Sequence, residues 1–127
     1  MVRALPPPLP AELADRWSWP AGYVRVVELG LVDLEPWYFL EGEELALVRG
    51  GLCQRYPERV LLPFARRQDG DDVACFDLLA RRGDPEVLLI HDHAEAGWEL
   101  GGELASFWDW FRQAVEDVIS WSEDAHA

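Results

Sequence analysis

The chain has 127 residues, enough for one domain that buries roughly two thirds of the surface its unfolded form exposes, and too few for a second core. Half of the residues are hydrophobic and seven are Trp, which excludes wholesale disorder. The net charge is -13, from 24 acidic residues against 11 basic ones, and every basic residue is Arg, so chemistry that needs a lysine, such as a Schiff base or a P-loop, is excluded as well.

The charge is unevenly placed. Residues 1–67 hold 9 acids and 8 arginines (net -1), whereas residues 68–127 hold 15 acids and 3 arginines (net -12). Phosphate backbones and anionic membranes are bound by neutralising them with Lys and Arg, so neither nucleic acid nor membrane is an expected partner. A basic protein would be attracted, with steering that fades over a Debye length of about 8 Å at physiological salt; solubility alone is the other use of such a surface.

In chain order, "MVRALPPPLP" reads as a polyproline-like arm, a tail or a segment laid on the domain, within residues 1–18. It lacks the apolar run of a signal sequence, and no run approaches a membrane span, which predicts a cytoplasmic protein. Residues 10–17 suit a short helical turn. "PAGYVRVVELG" offers Pro at a helix start and Gly at its end, with Tyr23, Val26 and Val27 at helical spacing, although its valines favour a strand. "PWYFL" is strand-like. "EGEELALVRGGLCQRY" places Leu45, Val48 and Leu52 at helical spacing, with Gly50-Gly51 expected to end or bend the helix. Two strand-like runs, residues 60–65 and 73–78, flank "RRQDGDD", whose Asp69-Gly70 has the composition of a tight hairpin turn with positive φ. After a second turn at "RRGDP", "EVLLIHD" completes an antiparallel meander that needs a cover on one face.

The cover is "SFWDWFRQAVEDVISW", with Ser106 as N-cap and Asp109 three residues on. At 100° per residue Phe107, Trp108, Phe111, Val115 and Val118 form one stripe, expected to dock on the sheet. Trp110, Ala114 and Trp121 fall on its border, where the two Trp either wrap the edge of the sheet or stand half exposed as aromatic anchors for a partner. The remaining segment, residues 123–127, reads as a tail, with His126 in it. Cys53 and Cys75 lack a CxxC spacing and read as buried free thiols.

"VLLPFARRQDGDDVACFDL", an apolar strand ending at "HDH", and "ELASFWDWF" together resemble the SUKH superfamily, which includes fungal Smi/Knr-type cell-wall regulators and bacterial immunity proteins. The resemblance runs over Leu62-Pro63-Phe64-Ala65, Gly70-Asp71, Cys75-Phe76-Asp77 and Ala105-Ser106-Phe107, and defines a single domain over residues 19–122. It implies an α+β fold with a sheet backed by helices, no enzyme activity and no cofactor, and a role in binding proteins, often toxins.

The acids Asp69, Asp71, Asp72 and Asp77 do not follow the order of an EF-hand loop, which also needs a Glu at its twelfth position. His91 and His93 would share a strand face and could be two metal ligands, but no third ligand is evident. A small metal-dependent hydrolase using Asp69, Asp71, Asp72, His91 and His93 is therefore the alternative, and a self-associating module, monomer or homodimer, is a third. The expected protein-binding residues are Asp69, Asp71 and Asp72 at the hairpin tip, with Trp98, Trp110 and Trp121 as anchors, facing a basic partner.

Overall fold

The computed structural model describes residues 4–79 and 84–125. The turn expected at Arg81 to Gly83 and the tail residue His126 lie outside the described residues. Among the described residues six strands form one open sheet: β1 (Asp33–Leu34), β2 (Trp37–Phe39), β3 (Leu61–Arg67), β4 (Asp72–Asp77), β5 (Val87–His91) and β6 (Leu100–Leu104). Every strand pairs antiparallel with its neighbour in sequence, so the sheet order is the chain order, a meander. Among the described residues four helices complete the α+β fold: α1 (Ala11–Ala14), α2 (Ala21–Glu28), α3 (Gly42–Arg55) and α4 (Phe107–Ala125). None of these helices is long and apolar enough to cross a membrane.

Helices cover both faces of the sheet, not one as expected. Leu62, Phe64, Ala74, Phe76 and Val87 point to α2 and α4, and Leu61, Val73, Cys75, Leu88 and Ile90 to α3. Strand alternation explains how near-continuous apolar runs in β3, β4 and β5 serve two cores. In β3 the register shifts between Pro63 and Ala65, and a bulge suits a proline with no N–H to donate to a ladder.

The α2/α4 face is an aromatic cluster. Phe64 stacks on Phe76 with centroids 4.3 Å apart, Tyr23 on Trp19 at 4.4 Å, and Trp110 meets Phe64 edge-on at 4.8 Å. Helix α4 is turned relative to the expected stripe: Phe107, Trp110 and Ala114 are buried, whereas Trp108 and Val115 are exposed. An apolar arc that spans half of the helix leaves its orientation to the partner surface. Here Trp110 fills the space between Phe64, Phe39 and Trp37. The close approach of α2 comes from Gly22, where a Cβ would lie 2.8 Å from the Trp108 ring. Polar ties seat the C-terminal half: Trp37 Nε1 donates to Asp117 at 2.9 Å, Arg67 lies 3.6 Å from Asp117, and Trp121 Nε1 donates to Glu35 at 3.1 Å.

Several local expectations change. Gly50 and Gly51 do not end α3, which runs on to Arg55, because Leu52 and the helix face before it are buried in the core. The hairpin loop is four residues long, 68–71, and Gly70 is not among the positive-φ glycines; longer hairpin loops are built on turns that do not demand a left-handed residue. Strand β6 was not foreseen, since "LGGEL" has neither alternation nor β-branched residues. The N-terminal arm is laid on the domain: Trp19 Nε1 donates to the Pro7 carbonyl at 2.8 Å, and Leu13 belongs to the core, so packing does not stop at residue 19. Helix α4 extends to Ala125, so residues 123–125, expected in the tail, are helical. Cys75 is buried, with its thiol pushed up by desolvation, while Cys53 is exposed on α3.

Candidate functional site

The residues at the hairpin tip are already engaged. Asp69 accepts a fork of two hydrogen bonds from Arg67, at 2.8 and 2.9 Å, and this contact with Arg67 holds its carboxyl below the usual range despite some desolvation. Asp71 sits 3.8 Å from Arg66. Asp72, opposite His91 in the β4/β5 register, is hydrogen-bonded to the His91 Nδ1. Arg67 and Arg66 thus offset part of the tip's charge, and Asp69 and Asp71 present a weaker field than the sequence suggests.

The two histidines do not converge. Strand β5 ends at His91, and His93 takes a left-handed φ of 70° in the loop that follows, so alternation stops before it. Among the described residues no three His, Cys, Asp or Glu side chains group so as to hold a metal ion. Trp110, expected as an anchor, is 1% exposed, so it is a core residue. Trp121 is half-buried against Glu35. Trp98 stands 78% exposed.

What holds Trp98 out is a loop, residues 92–98, closed at its neck by the His91 N–H donating to the Glu99 carbonyl at 2.7 Å. Three side chains at the end of α3 fasten it. Arg55 donates Nε and Nη2 to the two oxygens of Asp92, at 2.7 and 2.8 Å. The Tyr56 hydroxyl lies 2.7 Å from the Ala94 carbonyl, which accepts from it, and 3.2 Å from that of His91. Arg59 Nε donates to Glu99 at 2.7 Å, and the Gly97 N–H donates to the other Glu99 oxygen at 2.6 Å.

Local sequence accounts for this clamp. Pro57 follows the C-cap Tyr56 and cannot continue the helix, so Arg55, Tyr56 and Arg59 straddle a helix end. Gly51 lies one turn before Arg55, and a Cβ there would come within 3.1 Å of the guanidinium, so glycine leaves the arginine room to bend back toward Asp92. Glu99 is buried, which disfavours its charge, yet the Gly97 N–H and the Arg59 guanidinium outweigh that and hold its carboxyl below the usual range.

Beside the loop lies a cleft of about 610 Å³ lined by Tyr56, Pro57, Arg59, Leu79, Ala96 and Glu99. Gly97 and Glu99, the chain neighbours of Trp98, both line it. An exposed indole on a fastened loop next to a partly apolar cleft has the makings of a contact anchor: a large side chain with little rotational freedom to lose, at a place where the backbone is already ordered.

Of this arrangement the sequence pointed to Trp98 alone. Arg55, Tyr56, Arg59 and Glu99 were missed because each partner is 35–40 residues away along the chain. Only the burst "RYPER" ahead of a strand hinted that cations were gathered at one helix end. Compared with protein-family models, with curated proteins and with solved structures, the chain finds no significant match.

Proposed function

We propose that this chain is a non-catalytic, cytoplasmic protein-binding module of the SUKH type, acting as an immunity protein that occludes a basic toxin. The observation that carries the binding role is Trp98, exposed on a loop fastened by two carboxylate–arginine contacts and a tyrosine hydroxyl. A loop held this way presents its indole in one pose, which lowers the ordering cost of association. The net charge of -12 on residues 68–127 supports a basic partner through long-range attraction. The SUKH reading rests on the sequence motifs and on an antiparallel sheet backed by helices, and no cofactor enters it.

A pull-down from host lysate at low and moderate salt tests it, with wild type, Trp98→Ala, and Asp69, Asp71 and Asp72 jointly changed to Asn. A basic protein captured by wild type and lost with Trp98→Ala supports the reading. Loss only with the triple variant moves the contact to the hairpin tip. Capture of nothing by wild type at either salt overturns it.

A further inference from the structure

Helix α4 carries apolar material beyond what the sheet covers. Its buried line runs through Phe107, Trp110 and Ala114. One residue further round, Trp108 (44% exposed), Val115 (37%) and Ile119 (46%) face solvent, with the half-buried Phe111 and Val118 between them. Positions 108, 111, 115, 118 and 119 follow the three-and-four spacing of a helix-packing seam, over about 17 Å of axis at 1.5 Å per residue. Trp108 rests on Gly22 of α2, so one end of the seam is already fixed in place.

The border of this seam on its polar side is acidic. Asp109, Glu116 and Glu123 lie there against Arg112 alone, and Arg112 is paired with Asp109 at 3.1 Å. Glu116 and Glu123 have no ion-pair partner among the described residues, unlike Asp69 and Asp71. A second copy docked here would oppose one such row to another, a like-charge arrangement that disfavours association. A helix with an apolar stripe and an arginine- or lysine-rich border meets both features.

We infer that the Trp108–Val115–Ile119 seam of α4 docks a basic amphipathic helix. This surface lies across the sheet from α3 and its clamped loop, and the inference does not depend on the Trp98 contact.

The probe is a synthetic 21-residue helical peptide with leucine at heptad a and d positions and arginine at its border, beside a glutamate-bordered version with the same leucines. Binding to the full chain is followed by titration calorimetry across salt, with far-UV circular dichroism checking each variant's fold. The arginine peptide is expected to bind and the glutamate peptide not. Val115→Glu with Ile119→Glu is expected to weaken the arginine peptide by about tenfold or more. Because that variant adds two negative charges, attraction by charge alone would make it bind more tightly, so equal or tighter binding overturns the seam. Glu116→Gln with Glu123→Gln is expected to weaken binding by about two- to fivefold and to flatten its salt dependence. No binding of the arginine peptide, equal binding of the glutamate peptide, or growth of the protein's own mass with concentration in light scattering, which would make the occupant a second copy, each overturns the inference.

Discussion

Replacing Arg59 by Ala tests whether the clamp on residues 92–98 is a true constraint. Removing one member of a fully buried ion pair costs about 3–5 kcal/mol, because the other charge is left without a partner. Glu99 is that buried charge, but the Arg59 side chain keeps 29% of its exposure, so water screens part of the loss and about 2 kcal/mol of stability at pH 7 is the expected cost. Urea unfolding followed by circular dichroism measures it, and the double variant with Glu99→Gln should recover at least half, since the glutamine leaves no charge to strand. The pH dependence has a definite sign. In wild type the Glu99 carboxyl is held below its unfolded value, so its contribution is present above pH about 4.5 and fades as pH falls through the lower folded value. In Arg59→Ala the carboxyl rises instead, and the gap between variant and wild type closes in acid, where both are neutral. A loss below about 0.5 kcal/mol, or a gap that does not shrink as the pH drops, would refute the idea that Arg59 compensates a buried charge.

Tyr23 is fully buried, its hydroxyl has no hydrogen-bond partner among the described residues, and desolvation pushes its ionisation well up, so Tyr23→Phe should be neutral or stabilising by about 1 kcal/mol in thermal unfolding. Ser106→Ala removes the hydroxyl that accepts from the Asp109 N–H at 3.3 Å at the start of α4 and should cost about 1 kcal/mol in the same assay. Trp98→Ala should shift the unfolding midpoint negligibly, within about 0.5 kcal/mol, because the indole covers little of the protein; a larger loss would show that it serves the fold instead of a partner.

What the sequence disclosed, and what it hid, follows from the range of each signal. Strands β3, β4 and β5 were legible because their apolar runs are bounded by turn residues, and α2 and α4 because their spacing is helical. The facing of α4 was not, since Phe107, Trp108, Phe111 and Val115 all lie within one broad apolar arc and only Phe64, Phe76 and Trp37 decide which of them go inward. The second covered face escaped notice because Leu61, Cys75 and Ile90 read equally well as one strand's interior or as two cores. At the candidate site Trp98 is conspicuous in any reading, but the acids at the hairpin tip looked unopposed only because the bonds Arg67 and His91 make to them depend on side-chain geometry. Arg55 and Arg59 find their carboxylates through tertiary structure alone.

The order of the sheet governs when the two cores can form. Since each strand pairs with the one just made, β1 to β5 and the α3 face can assemble in the order of synthesis, with only sequence-local connections to close. The aromatic face cannot. Its lid is α4, joined to Trp37 across 80 positions and to Glu35 across 86, so Tyr23, Phe64 and Phe76 wait without it until α4 itself has emerged. A nascent or truncated chain stopping before Phe107 would display that cluster to solvent, and aggregation of such fragments is the hazard this topology carries.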